Sequence, residues 1–259
     1  MQLFDSHCHL DDSVFKRDFS AVLHRAKTAG IDRMLIAGID EATSRKATLL
    51  AHAHPDILVA AVGVHPHDSR LCSEAVLDRL RILAQDPKVV AWGEIGLDFN
   101  RMRSPQKDQE HWFVRQLDAA DAADLPLIFH ERDSCGRLLE LLENHPSSRR
   151  KAVVHCFGGT ETDLVRYLDM GFYIGITGIV TIRQRGETLR RMIPSIPPDR
   201  ILIETDAPYL TPSPQRNKFR RNEPAFVREV LLKVAELYDI PPETLAEQIW
   251  RNTCALFRI

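Results

Sequence analysis

The sequence lacks three features that would each point to a particular class of protein. No apolar run approaches the roughly 20 residues that a membrane-spanning helix needs, and no basic segment followed by an apolar stretch opens the chain. The 34 basic and 36 acidic residues give a formal net charge of -2, without the overall positive charge of many nucleic-acid-binding proteins. We therefore expect a cytoplasmic protein that contacts no membrane and binds any anionic substrate through a local patch of charge.

Cysteine is scarce, with five residues scattered over 259 positions. None forms the Cys-x-x-Cys spacing of many zinc and redox sites, and the odd number argues against a disulfide framework. Cys8 and Cys156 each neighbour a histidine in the chain. In an extended strand they point away from that histidine, so we expect them to pack against helices.

Short apolar runs alternate with helical stretches along the whole chain. The runs are rich in Val, Ile, Leu and Phe at both parities, as expected of parallel strands covered on both faces. The eight runs are Leu3 to His9, Met34 to Ile39, Ile57 to Val64, Val89 to Ile95, Leu127 to His130, Ala152 to His155, Phe172 to Ile176 and Ile201 to Glu204. This pattern favours a (β/α)8 TIM barrel over an open doubly wound sheet and predicts one domain spanning residues 1–259.

Nearly all side chains suited to chemistry fall at the C-terminal ends of these runs. They are His7, His9, Glu94, His130, His155, Glu204 and Asp206. In a barrel the C-terminal strand ends meet on one face, where barrel enzymes keep their active sites. His7 shares a parity with His9, so the two imidazoles are expected to point to the same side of their strand.

Imidazole nitrogens and carboxylate oxygens together suit divalent metal ions. Six side chains are predicted ligands of two ions: His7, His9 and Asp206 of the first, His130 and His155 of the second, and Glu94 of both. Two ions about 3.5–4 Å apart can activate a water and neutralise the attacking and leaving oxygens of a phosphoryl transfer. The residues therefore predict a hydrolase with two divalent ions per chain, and they do not choose among Mg, Mn and Zn.

Seven motifs occur in order along the chain: DSHCHL, GVHPH, GEIGLDF, HCFGG, GFYIGITG, ETDAPYL and RNEP. Together they resemble the signatures of the TatD-type metal-dependent deoxyribonucleases of the amidohydrolase superfamily, from residue 5 to the C-terminal NTCALF. The resemblance implies a metal-dependent barrel that hydrolyses phosphodiesters, in several relatives as a 3′-to-5′ exonuclease on DNA. It also implies that Asp206 accepts a proton, and a glutamate at position 94 is similar to this family's arrangement. Glu204, at the same parity as Asp206, is expected to hold a water or a further ion.

A phosphodiester substrate needs cationic or N–H donors beyond the metals. The predicted substrate contacts are His65, Arg132, Arg216, Arg221 and Asn222. His65 belongs to the active site by resemblance and is expected to donate to a phosphoryl oxygen. The last loop is longer and more basic than in the family pattern, and Glu131 stands before Arg132 where relatives often have a small residue, so substrate preference stays open. Tyr209 and Phe219 suit either base stacking or packing beneath a loop.

Two further functions compete with a nuclease that acts on nucleic acid, with DNA as the expected substrate. One is a metal-dependent amidohydrolase or esterase acting on a small molecule, since one fold supports many reactions. The other is a metal-stabilised barrel that binds a partner without turnover. We expect a monomer in each case.

Overall fold

Eight parallel strands form the centre of the computed structural model, which describes all residues from Met1 to Ile259. Each strand is hydrogen-bonded to the next one along the chain. The strands are β1 Leu3–Cys8, β2 Ile31–Ala37, β3 Leu58–Val62, β4 Val89–Asp98, β5 Leu127–Arg132, β6 Ala152–His155, β7 Tyr173–Ile176 and β8 Ile201–Ile203. Every predicted apolar run is thus confirmed as a strand, with ends that differ by a few residues.

Helices connect the strands and surround them. They are α1 Phe19–Thr28, α2 Glu41–Ala53, α3 Glu74–Leu83, α4 Gln106–Ala123, α5 Arg137–Asn144, α6 Glu161–Asp169, α7 Glu187–Met192, α8 Val227–Tyr238 and α9 Pro242–Phe257. Local sequence defines several of their starts: Asp40 accepts from the Thr43 backbone amide at 2.7 Å and forms a capping box at the start of α2. No helix combines the length and the apolar character needed to cross a membrane.

β1 and β8 close the barrel through contacts near their C-terminal ends. The amide of Asp206 donates to the His7 carbonyl at 2.9 Å, and the amide of His9 donates to the Ala207 carbonyl at 2.7 Å. A parallel bridge also joins Cys8 to Ala207. Since closure depends on these two segments, the predicted (β/α)8 barrel is confirmed, and the first and last motifs are neighbours.

Two apolar layers surround the strands. The outer layer, between strands and helices, contains 55 buried residues, including Cys8, which packs there as predicted. A smaller cluster of 12 residues fills the barrel and includes Leu256 and Phe257 from α9. The ring centroids of Phe4 and Phe257 are 6.2 Å apart. Because α9 closes the N-terminal end of the barrel in this way, the C-terminal end is left for polar side chains.

The first strand does not alternate regularly. Its register against β2 shifts between Asp5 and Cys8, as in a β-bulge. As a result Phe4 lies in the barrel interior, while His7, of opposite parity, also faces inward towards Glu94. The buried Asp5 carboxylate accepts from the amide and the hydroxyl of Thr205 at 2.8 and 2.5 Å. These bonds fix the irregular segment against the segment that follows β8.

Candidate metal centre

The barrel brings all six predicted metal ligands to its C-terminal end. They are His7 in β1, His9 just after it, Glu94 in β4, His130 in β5, His155 at the end of β6 and Asp206 after β8. His7, Glu94 and His155 are buried, with at most 4% of each residue exposed. The polar side chains therefore meet in a largely dry space at the barrel mouth.

Four side chains form the first cluster of donor atoms. The Nε2 of His7 lies 3.3 Å from the Nε2 of His9 and 3.3 Å from Glu94 Oε2. The Nε2 of His9 lies 3.3 Å from Asp206 Oδ1. The two longer separations, His7 to Asp206 and His9 to Glu94, are both 3.9 Å. Ligand atoms about 2.0–2.1 Å from one tetrahedral ion are roughly 3.3–3.4 Å apart, which matches the three separations of 3.3 Å. Donor atoms of His7, His9 and Glu94 all lie within 4.8 Å of one another and could hold one cation.

The second carboxylate oxygen of Glu94 faces the other predicted ligands. Its Oε1 lies 2.6 Å from His130 Nδ1 and 3.8 Å from His155 Nε2. The Nε2 of His65 is also near, at 3.4 Å. Since Glu94 presents one oxygen to each side, its geometry suits the predicted bridging position between two ions.

His155 lies between the two sides of the site. Its ring stacks on that of His7 with centroids 3.6 Å apart, and its Nε2 is 3.8 Å from Asp206 Oδ1. The Nε2 of His155 is therefore equally far from a carboxylate oxygen of Glu94 and one of Asp206.

Glu204 does not face the mouth of the site. It is fully buried; its Oε1 accepts from the Cys156 amide at 2.6 Å and lies 2.7 Å from His155 Nδ1, an off-axis contact. A Cβ at Gly175 would lie only 2.8 Å from Oε2, so the glycine makes room for this carboxylate. One donor atom of Glu204 nevertheless lies within 4.8 Å of donor atoms of His7 and His155, so its role of holding a water or a further ion stays a prediction. The position also suits a carboxylate behind a ligand imidazole, which fixes the ring's orientation.

Asp98 is a polar residue of the site that the sequence reasoning overlooked. Its Oδ2 lies 2.6 Å from His67 Nε2 and 3.5 Å from His130 Nε2, and its Oδ1 accepts from the Arg101 amide at 2.8 Å. The signal for it was present, because Asp98 has the same parity as Glu94 in GEIGLDF. The predicted strand ended at Ile95, whereas β4 continues to Asp98.

The carboxylates keep three imidazoles protonated when no cation is bound. Burial opposes the charge of His155, but Glu204 and Glu94 outweigh it and raise its pKa to about 10. In the same way, carboxylate neighbours overcome burial and raise the pKa of His130 to about 9 and that of His9 to about 8. Burial raises the pKa of Glu94, but the imidazoles overcome it and lower this pKa well below its usual value. The site thus favours positive charge, and a metal ion would release these protons.

His65 behaves differently from these imidazoles. Burial lowers its pKa to about 4, so the ring is neutral. Its Nδ1 accepts from the amide of His67 at 3.0 Å, which leaves the proton on Nε2. His65 therefore presents an N–H donor to the site, as expected for a group that contacts a phosphoryl oxygen.

Two predicted substrate contacts are engaged within the fold. Arg221 pairs with Asp18 at 2.7 Å and with Glu223 at 2.9 Å. Asn222 is fully buried, and its side-chain amide donates to the Tyr209 carbonyl at 2.6 Å. The prediction that Arg221 and Asn222 hold substrate does not fit these contacts, because their donors stabilise the last loop instead.

The two other predicted arginines have free guanidinium groups. Arg132 ends β5 and is half-buried, whereas Arg216 is exposed in the loop that follows β8. Neither side chain forms an ion pair. Both are thus available to an anion at the C-terminal face.

Comparison with known proteins places this geometry in a family. The family model for TatD-related DNases matches residues 4–258. The chain belongs to this family. The predicted resemblance is thereby confirmed.

Curated members of the TatD family are similar over the whole chain. A protein of Pantoea ananatis named 3'-5' ssDNA/RNA exonuclease TatD is 42% identical, covering 98% of this chain and 99% of the relative. A protein of the same name from a Rahnella species is 43% identical, with 99% and 98% covered. A solved TatD homologue from Escherichia coli K12 superposes with a TM-score of 0.91 at 31% identity, covering 99% and 98% of the two chains.

Proposed function

We propose that this TatD-family chain is a metal-dependent phosphodiesterase that removes nucleotides from the 3′ end of a nucleic acid. The observation that carries the proposal is the cluster of donor atoms in which the Nε2 atoms of His7 and His9 lie 3.3 Å apart and each lies 3.3–3.9 Å from an oxygen of Glu94 and of Asp206. Curated relatives at 42 and 43% identity are named as 3'-5' exonucleases. The names support the direction of digestion, and the donor set supports metal dependence.

We assign two divalent ions to the centre. The ligands are His7, His9 and Asp206 for the first ion, His130 and His155 for the second, and Glu94 for both. When bound, such ions lower the pKa of a water and neutralise charge on the oxygens of a phosphoryl group. Mg, Mn and Zn all suit a mixed imidazole and carboxylate donor set.

The chain's own residues supply proton transfer and phosphate binding. Burial raises the pKa of Asp206, but contact with His9 and the charge of neighbouring imidazoles overcome it and lower that pKa below its usual value. Asp206 is therefore ionised and can accept a proton. The neutral His65 would donate its Nε2–H to a phosphoryl oxygen, stabilising the charge that develops there. Arg132 and Arg216 add positive charge for the substrate backbone.

A labelled-strand assay tests the proposal. Protein freed of metal with EDTA is given Mg²⁺, Mn²⁺ or Zn²⁺ and a 5′-labelled single-stranded DNA, an RNA of the same sequence, or p-nitrophenyl acetate. We expect metal-dependent shortening from the 3′ end, with the 5′ label retained. His130→Ala should abolish it, whereas His24→Ala, a change of an exposed histidine in α1, should not.

Two outcomes would contradict the proposal. One is metal-dependent turnover of the ester alone, which would favour the small-molecule hydrolase. The other is equal nuclease activity in the protein and its His130→Ala variant, which would point to a contaminating enzyme. DNA is the substrate we propose, and the RNA strand measures the preference directly.

Three remaining predictions also belong to this proposal: one domain spanning residues 1–259, a monomer, and a cytoplasmic location. A single cooperative unfolding transition and the mass in solution would test the first two.

A further inference from the structure

Tyr209 places an exposed aromatic ring beside the metal centre. Its residue exposure is 55%, which is high for a large aromatic side chain. The centroid of its ring lies 6.1 Å from that of His9, one of the proposed ligands, in an edge-on arrangement. More than half of this residue is thus open to solvent, while its ring lies against a proposed metal ligand.

The fold holds Tyr209 by its backbone. Its amide donates to the Asp206 carbonyl at 2.8 Å, and its carbonyl accepts from the Asn222 side chain at 2.6 Å. Asn222 is itself buried and donates to the Thr205 carbonyl at 2.8 Å. Because the backbone is already fixed, a group that stacks on the ring loses little free energy to ordering of the protein.

Phe219 shows what an exposed aromatic residue in this loop looks like when it packs within the fold. It is 48% exposed, and its ring lies 5.4 Å from that of Phe226 in a tilted contact. Sequence alone gives Tyr209 and Phe219 the same two alternatives, packing or stacking on a base. The structure separates them, because only Tyr209 lies against a residue of the metal centre.

Arg103 supplies a cation on the same face of the barrel. It lies in the loop between β4 and α4, is exposed and forms no ion pair. Ser104, the next residue in the chain, donates to the His67 carbonyl at 2.7 Å. The Nε2 of His67 in turn lies 2.6 Å from Asp98 Oδ2 in the site. Arg103 therefore lies in a loop that is fixed beside His67 at the mouth of the barrel.

We propose that Tyr209 is the platform on which an unpaired base stacks beside the phosphate being cleaved, and that Arg103 binds a neighbouring phosphate. The inference rests on the proposed nuclease function and adds the subsite that recognises the nucleotide. Stacking does not distinguish one base from another, because every base has an aromatic face. That face is free only in an unpaired nucleotide, so the subsite selects single-stranded ends without selecting sequence.

The test combines protein variants with an abasic substrate. Tyr209→Ala should lower kcat/KM on a 5′-labelled single strand by roughly tenfold or more, mainly through KM. Tyr209→Phe should retain activity because it keeps the ring, and Phe219→Ala is the matched control without loss. The same strand is then made with an abasic nucleotide at the terminal or the penultimate position. At one of these positions, the abasic nucleotide should lower the kcat/KM of the unaltered protein by the same factor as Tyr209→Ala does on the normal strand. It should not lower the kcat/KM of Tyr209→Ala any further.

The salt dependence of kcat/KM tests Arg103. Removing one phosphate contact should reduce the slope against the logarithm of salt concentration by about one. We expect this for Arg103→Gln and not for Arg149→Gln, a change at the opposite end of the barrel, just before β6.

The possible failures are distinguishable. Equal loss by Tyr209→Ala on normal and abasic strands, or no loss at all, would overturn the stacking subsite while leaving the nuclease proposal intact. An unchanged salt slope in Arg103→Gln would show that Arg103 does not bind a phosphate of the substrate. Absence of any strand shortening by the unaltered protein would overturn both the proposed function and this subsite.

Discussion

The Nε2 atoms of His7 and His9 lie 3.3 Å apart and point into the same space. Two imidazole lone pairs at that distance repel each other unless a proton or a metal ion lies between them. Glu94 and Asp206 each place an oxygen 3.3 Å from one of these nitrogens. The pair is therefore a local arrangement that a cation stabilises.

Metal binding should raise the melting temperature of the protein, because an ion that binds only the folded state stabilises it. At 100 times the dissociation constant the gain is about 2.7 kcal/mol, which corresponds to roughly 5–10 °C for a chain of this size. Thermal unfolding of EDTA-treated protein with and without Mn²⁺ or Zn²⁺ measures this. His9→Ala should remove most of the shift and His24→Ala none of it; an equal shift in both variants would place the ion elsewhere.

Asp98→Asn should weaken binding of the second ion. Asp98 Oδ2 lies 3.5 Å from His130 Nε2 in an off-axis contact, on the side of the ring opposite the Nδ1 that faces Glu94, and its charge favours this ring orientation. Loss of such a carboxylate behind a ligand histidine typically costs 10–100-fold in metal affinity. Calorimetric titration with Mn²⁺ measures both binding steps, with Asp118→Asn, an exposed position on α4, as control. Unchanged affinity in both steps would show that Asp98 does not orient His130.

Arg221→Ala should change the stability of the protein, whereas Arg216→Ala should change the salt dependence of cleavage. Arg221 joins the last loop to Asp18 and Glu223, so its loss should lower the melting temperature and leave the salt dependence of cleavage unchanged. Arg216 is exposed without an ion pair, so its loss should reduce the salt slope by about one without changing stability. A reduced salt slope in Arg221→Ala would restore the predicted substrate contact.

Stability in acid should depend on Asp18. Hydrogen bonds from Arg221 hold the pKa of Asp18 at about 2, below its usual 3.8. A lowered pKa in the folded state stabilises above pH 3.8, and this contribution is lost as the pH falls towards 2. Because the pair is partly exposed, we expect Asp18→Asn to cost about 1 kcal/mol or less at neutral pH. Denaturant unfolding should show that the difference in free energy of unfolding between the unaltered protein and Asp18→Asn vanishes near pH 2. A difference that stays constant with pH would contradict this prediction.

The fold, and the meeting of the six predicted ligands at one end of the barrel, could be predicted from the sequence because parallel strands have a simple geometry. A strand covered on both faces is apolar until it ends, so polar residues such as His130 and His155 mark the ends that a barrel gathers together. Asp98 was overlooked because Gly96 interrupts the apolar pattern directly after Ile95, which made β4 look shorter than it is.

Side-chain partners in the loops could not be predicted in this way. Arg221 resembled a free basic residue, but its partner Asp18 is 203 positions away in the chain. Glu204 has the same parity as Asp206, but parity does not tell how far a side chain lies from the mouth of the barrel. Only the structure shows that Glu204 lies behind His155. Strand ends therefore predict which side chains lie together in space, whereas loop charge does not predict their partners.

The number of divalent ions bound per chain, measured together with shortening of a 5′-labelled strand in the protein and in Glu94→Gln, tests the central claim most directly. We predict two ions in the unaltered protein. Glu94→Gln should bind fewer ions and lose cleavage, while its melting temperature in EDTA shows that it still folds. Two ions and full cleavage in a folded Glu94→Gln variant, or no bound ion in an active unaltered protein, would contradict the account.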